Sequence, residues 1–203
     1  VNEAGETIEA IVLAAGAGAR FGGGKLTAAR RDGVLLDGAL AAAFAAPCRT
    51  VAVTFGADPA VAKTARAFAE RTGATDRLRL VEAADHAEGL AASLRAGLAS
   101  LPADAAAAMI FLGDMPDLPL RIGEALADAL APGTEAAAPV WEGRRGHPVL
   151  IRRSLFAQVA ALRGDRGAGA LLAALGPRLA QVPAPSDGVL FDIDRCEDLA
   201  ARP

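Results

Sequence analysis

Three groups of residues have the types and spacing for chemistry on a charged substrate. The first is the stretch from Leu13-Ala14-Ala15 to Lys25, with glycines at Gly16, Gly18, Gly22, Gly23 and Gly24 and a cation at Arg20. Glycine lets backbone N–H groups approach phosphate oxygens with no Cβ in the way. Arg20 offers a planar fork of donors and Lys25 a point charge. The loop therefore suits a polyphosphate. The second group is Gly113-Asp114-Met115-Pro116, and the third is Phe191-Asp192-Ile193-Asp194. On extended backbone Asp192 and Asp194 share one face, with Ile193 on the other. Two carboxylates side by side are costly unless a cation or hydrogen-bond donors sit with them.

The glycine loop matches neither common phosphate loop. Leu26 follows Lys25 where a P-loop needs Ser or Thr. Phe21 stands where the dinucleotide fingerprint needs its third glycine. His147, with Arg144 and Arg145 before it, suits an anionic ligand or a packed position equally well. His86 has no motif around it and reads as a surface residue. Cys48 and Cys196 lack metal spacing and read as reduced structural thiols.

These groups need elements to hold them. Apolar runs at 8–14, 50–55, 78–81 and 107–112 read as strands, and Ala/Leu-rich stretches at 36–46, 60–72, 89–101 and 121–130 as helices. This alternation predicts an α/β fold, a three-layer arrangement with a mostly parallel twisted sheet and helices on both faces. Ligands in such sheets sit beyond the carboxyl ends of the strands. The glycine loop and Asp114 both follow strand ends, so they can share a cleft. Further on, 136–141 and 147–151 read as paired extended segments. The stretch 154–163 reads as a helix capped by Ser154, 168–175 as another, 189–193 as a strand, and 197–201 as the start of a last helix.

A length of 203 residues suits one domain spanning 1–203. A net charge of −3 gives no general affinity for nucleic acid. No stretch approaches the roughly 20 apolar residues of a membrane span. The polar start, VNEAGET, does not resemble a signal peptide. A cytoplasmic protein without a membrane or nucleic-acid partner is the expectation.

The ordered set of motifs resembles the nucleotidyltransferases of the MobA-like group, and within them the molybdenum cofactor cytidylyltransferases. The carriers are L-A-A-G-x-G-x-R-F-G-G-G-K, Gly113 to Pro116, Gly143-Arg144-Arg145-Gly146-His147-Pro148-Val149-Leu150, Gly164-Asp165-Arg166-Gly167-Ala168, and Asp192-Ile193-Asp194 with Glu197-Asp198-Leu199. They run in family order over nearly the whole chain. The resemblance implies a Rossmann-like nucleotidyltransferase fold and Mg2+-assisted transfer of CMP from CTP to molybdenum-bearing molybdopterin, with release of pyrophosphate. It implies that Leu13, Ala14, Ala15, Gly16, Gly18, Arg20, Lys25 and Ser93 bind the nucleotide. Arg20, Lys25 and Asp114 carry the catalysis, and Asp114 with Asp194 binds the metal, Asp192 assisting or only orienting. Arg145, Gly146, His147, Pro148 and Asp165 face the acceptor. The N-terminal half then binds the nucleotide and the C-terminal half the acceptor. A molybdenum hydroxylase or its chaperone is the implied recipient of the product. Three departures stand out: no proline follows Leu26-Thr27-Ala28, Gly169 takes an arginine position, and Arg195-Cys196 replaces Thr-Pro. Guanylyl transfer, another phosphorylated acceptor, and a non-catalytic carrier of the same fold stay open at this point.

Overall fold

The apolar run Ile8–Leu13 forms strand β1, and all of it is buried. In the computed structural model, which describes residues 5–31, 33–164 and 167–201, this strand lies inside the sheet with a core on each side. Ile8, Ala10 and Val12 enter one core, Ile11 and Leu13 the other. A strand covered on both faces has no reason to alternate with polar residues, hence the continuous apolar run.

The small hairpin β2 (Ala29–Arg30) and β3 (Gly33–Val34) follows the glycine loop, then helix α1 (Leu35–Ala45). Next come β4 (Val51–Phe55), α2 (Ala60–Arg71), β5 (Leu78–Glu82), α3 (Leu90–Ala99) and β6 (Ala107–Leu112). Helix α2 buries Val61, Ala65, Phe68 and Ala69, one stripe at helical spacing. The second half holds α4 (Ile122–Asp128), β7 (Ala136–Trp141), β8 (Arg144–Arg145), β9 (Val149–Arg152), α5 (Phe156–Ala160), α6 (Gly169–Ala174), β10 (Leu179–Pro183) and α7 (Asp198–Ala201).

The large sheet runs β10-β7-β9-β6-β1-β4-β5, with β8 paired to the end of β7. Strands β5, β4, β1 and β6 are mutually parallel. Strand β9 is antiparallel to both β6 and β7, and β10 runs parallel to β7. The chain leaving β7 therefore turns back at the same end of the sheet as the glycine loop. Helices α1, α2 and α4 cover one face, and α3 and α5 the other. Gly97 lets α3 lie close on the sheet, since a Cβ there would stand 2.6 Å from Ile11 Cγ2.

At the opposite end of β1, the fully buried Glu9 accepts hydrogen bonds from Arg49 Nε at 2.7 Å and from the backbone and hydroxyl of Thr50 at 2.9 and 2.6 Å. Arg49 also grips Asp104 with two bonds of 2.8 Å. A buried carboxylate is tolerated when its lone pairs are filled in this way.

Three sequence expectations need correction, and one strand has no counterpart among them. The run 189–193 is not a strand. Val189 and Ile193 are buried, but Leu190 and Phe191 donate to Asp187 and Gly188 carbonyls, and Ile193 donates to Asp114. The apolar pattern there signals burial without a ladder. Leu179–Pro183 is an edge strand, where Pro183 costs no interior ladder bond. The predicted helix 154–163 is a short turn over Arg153–Leu155 followed by Phe156–Ala160. Ser154 does not cap it; its hydroxyl bonds Glu135 instead. The extended pair 136–141 and 147–151 does pair, at Ala136↔Ile151 and Ala137↔Leu150. The outer end of β7 pairs with β8 around Glu142 and Gly143, whose φ of 48° and 75° fit a two-residue hairpin turn.

Candidate active site

The glycine loop begins where β1 ends. Thr54 of β4 holds its first turn, accepting from Ala14 N–H at 3.2 Å and donating to Val12 at 3.3 Å. Gly18, at φ 58°, turns the loop, and a Cβ there would stand 2.9 Å from Lys25 Cβ. The loop thus folds back on itself and sends Lys25 inward. Lys25 Nζ donates to Asp114 Oδ2 at 2.7 Å and lies 3.5 Å from Asp194 Oδ1. Arg20, mostly exposed, reaches Asp194 Oδ2 at 3.4 Å from outside.

Asp114 follows β6, and the preceding Gly113 N–H is held by the Leu13 carbonyl at 2.9 Å. The turn after it is braced by Arg30, whose Nη2 meets both Asp117 oxygens at 2.9 and 3.0 Å. Asp192 and Asp194 arrive from the far end of the chain on a segment pinned along its length. His147 N–H donates to Val189, and Ile193 N–H to Asp114, at 2.9 and 3.0 Å. Asp198 accepts from the backbones of Arg195 and Asp194, which hold its carboxyl below the usual carboxylate range.

Asp114, Asp192 and Asp194 each offer a carboxylate oxygen within 4.8 Å of the others. Burial, then the like charges of Asp114 and Asp194, push the Asp192 carboxyl up. Three hard oxygen donors at this spacing fit a magnesium- or manganese-type cation, which takes few carboxylates alongside substrate oxygens.

Two cavities open at this end of the sheet. The first, about 360 Å³, is lined by Leu13, Ala14, Ala15, Gly16, Gly18, Lys25, Ser93 and Asp114, together with His86. The second, about 380 Å³, is lined by Arg145, Gly146 and His147 with aliphatic walls that include Val149 and Leu172. Leu13, Leu90 and Leu112 belong to both, so the cavities adjoin.

Residues 10–181 match the MobA-like NTP transferase domain. The chain belongs to this family. It is a MobA-like nucleotidyltransferase, and its similarity to solved structures extends over almost the full length. Rv0371c from Mycobacterium tuberculosis H37Rv is 27% identical, with a TM-score of 0.76 over 97% of this chain and 96% of that one. A structure of Rv0371c complexed with manganese is 26% identical, with a TM-score of 0.65 over 88% of each chain. A nucleotidyl transferase from Methanothermobacter, Mth528, shares the fold at 21% identity, with a TM-score of 0.77 over 97% and 96%. The 4-diphosphocytidyl-2C-methyl-D-erythritol synthase of Anaerococcus prevotii does so at 14%, with a TM-score of 0.75 over 98% and 95%. Comparison with curated proteins gives no match.

Within this MobA-like site the sequence expectations divide. Arg20 stands outside the first cavity, at the acidic cluster. Pro148 is buried behind the second cavity and does not line it, and Arg144 sits out on β8. Asp165 and Arg166 lie outside the described residues. His86 is a correction. It is half-buried in the first cavity, its ring seated where a Cβ on Gly56 would collide at 2.6 Å. No motif marked it, and only the pairing of a glycine at the end of β4 with a later histidine could have done so. No helix among the described residues is long and apolar enough to cross a membrane.

His147 is half-buried as a residue, but its Nδ1 is out of reach of water and has no hydrogen-bond partner among the described residues. Burial holds its imidazole below the ordinary histidine range, against the pull of the Ile110 backbone and the Asp114 charge. The unfolded histidine titrates near 6.5. Between that value and the lower folded one, the unfolded chain binds the extra proton. The contribution to stability is therefore complete above the unfolded value and falls as pH drops through the window. Urea unfolding from about pH 8 to about pH 5 should show the wild type losing stability relative to His147→Asn on acidification. Parallel curves would remove the linkage.

Proposed function

We propose that this MobA-like protein transfers CMP from CTP to the phosphate of molybdenum-bearing molybdopterin and releases pyrophosphate. The observation that carries the reading is the junction of two cavities, one walled by the glycine loop, Lys25 and Asp114, the other by Arg145, Gly146 and His147. Two adjoining sites suit in-line attack between two bound substrates. In this reading the N-terminal half holds the nucleotide and the C-terminal half the acceptor.

Glycine-loop N–H groups and Lys25 cradle the triphosphate, with Arg20 at its outer edge. Asp114 and Asp194 hold Mg2+, and Asp192 adjoins them. When bound, the ion neutralises triphosphate charge and polarises the phosphoryl oxygen. The acceptor phosphate oxygen bonds to the α-phosphorus as the bond to pyrophosphate breaks. His147, neutral at physiological pH, lines the second cavity and orients the acceptor there.

The choice of CTP over GTP has support from His86. Its Nδ1 lies 3.1 Å from the Ala83 carbonyl, which can only accept, so Nδ1 carries the proton. In the neutral ring Nε2 is then an acceptor. It complements the amino group of cytosine rather than the carbonyl at the equivalent place on guanine.

One observation favours a different phosphorylated acceptor. Gly169 stands in the family's arginine position, and Arg145 Nη2 donates to its carbonyl at 2.9 Å. The test is pyrophosphate release with Mg2+ and CTP, GTP or ATP, with and without molybdenum-loaded molybdopterin. Release that needs CTP and the cofactor, with a smaller CTP preference in His86→Ala, is expected. Release with GTP points to guanylyl transfer. Release with CTP only when another phosphorylated metabolite is supplied moves the acceptor. Tight CTP binding without release under any condition favours a carrier. Handover to a molybdenum hydroxylase or its chaperone follows from this reading, and co-purification with either would support it.

A further inference from the structure

We propose that Lys25 is the resident counter-ion of the Asp114–Asp194 carboxylates, so that a divalent cation enters only together with a nucleoside triphosphate whose oxygens draw Lys25 away. The proposal rests on the metal site of the preceding reading and adds an order of binding to it.

The geometry sets the two cations in competition for the same carboxylates. Lys25 Nζ stands 2.7 Å from Asp114 Oδ2 and 3.5 Å from Asp194 Oδ1. A metal taking the same Asp114 oxygen binds at roughly 2.0–2.6 Å. Two positive charges would then share one oxygen, and on the Lys25–Asp114 side of the cluster the screening by water is reduced, Asp114 being 27% exposed while Asp194 is half exposed. The Lys25 side chain is only 11% exposed. Attraction in such a place is far stronger than between surface charges. An empty cluster is therefore already filled, and a free metal ion must compete with a tethered ammonium.

Lys25 is built to move at its tip alone. Its Cβ is fixed where the loop closes against Gly18. Its four-carbon stem lets the ammonium swing while the backbone stays put. The same loop offers glycine N–H groups to a phosphate, so the incoming triphosphate lands beside Lys25. The ammonium then trades a carboxylate for phosphate oxygens as the metal takes over the carboxylate. Lys25, with the exposed Arg20 on the outer oxygen of Asp194, sets two positive charges against three carboxylates and leaves the cluster short of charge. The second positive charge of the metal makes up that difference. In the free protein the exchange keeps stray divalent ions out of the site.

The test uses Mn2+ as the probe, titrated into the full chain with and without a non-hydrolysable CTP analogue. Bound ion is read by electron paramagnetic resonance. Wild type alone is expected to bind Mn2+ roughly ten-fold more weakly than Lys25→Met, if Lys25 fills the cluster about nine-tenths of the time. The analogue should tighten wild type strongly and Lys25→Met little. Wild type that binds Mn2+ equally with and without the analogue would overturn the proposal even if the variant misfolds. Thermal melts keep the variant informative. Lys25→Met should melt lower than wild type in chelator and recover with Mn2+. Asp114→Asn separates the two readings. Nucleotide-independent binding lost in Asp114→Asn defeats the order of binding and keeps the metal site. Binding indifferent to Asp114→Asn defeats both.

Discussion

Asp114→Asn is expected to lower pyrophosphate release by about a thousand-fold, the upper end for removing one group that stabilises transition-state charge. The change keeps shape and removes charge. Asn retains one oxygen acceptor, but the cluster formed with Asp192 and Asp194 loses an anion. Lys25 loses its 2.7 Å partner and keeps only the 3.5 Å contact with Asp194. The fold should tolerate this. Asp114 is 27% exposed and its neighbourhood is braced by Gly113, Met115 and Ile193 backbone bonds that do not use its side chain. Steady-state kinetics beside a thermal melt decide it. Activity within ten-fold of wild type would take Asp114 out of the chemistry.

The second large effect lies at Gly146. A Cβ there would stand 2.1 Å from the Val189 carbonyl oxygen and 2.8 Å from its carbon. Those are backbone atoms that cannot swing aside. Gly146→Ala should therefore cost about 1–3 kcal/mol, the range for overpacking a close-packed contact. It should also slow the reaction by about a hundred-fold, because small displacements of positioning groups are that expensive. Val189 accepts from His147, and the same segment leads to Asp192 and Asp194. A shift here moves the wall of the second cavity and the acidic pair together. Gly143→Ala is the control. It has φ 75° and open space around it, so only backbone strain is added. Equal losses at the two positions would show that the Val189 contact carries no special role.

Much of this was legible before any coordinates. Strands β1, β4 and β6 are legible because parallel strands buried on both faces are largely apolar runs, and β5, at the sheet edge, shows only as the shorter pattern Leu78, Leu80, Val81 around Arg79. The two chemical clusters at their carboxyl ends followed. The alternation of Asp192, Ile193 and Asp194 predicted two carboxylates together and Ile193 away. That arrangement holds although the backbone there is no strand: Ile193 is buried while Asp192 and Asp194 are exposed. Other features depend on contacts that sequence does not display. Gly146 and Gly188 matter because of Val189 and Asp117 carbonyls, far apart in the chain. His86 reaches the first cavity because Gly56 makes room for its ring. Arg20 has the expected type and spacing, yet its length carries it to Asp194 at the rim.

Glu9, Arg49, Thr50 and Asp104 lock the end of the sheet farthest from both cavities. None of the four lines either cavity. Substitutions at Arg145 or Leu172, in the wall of the second cavity, thus leave that lock whole. The mouth is free to drift because the base does not.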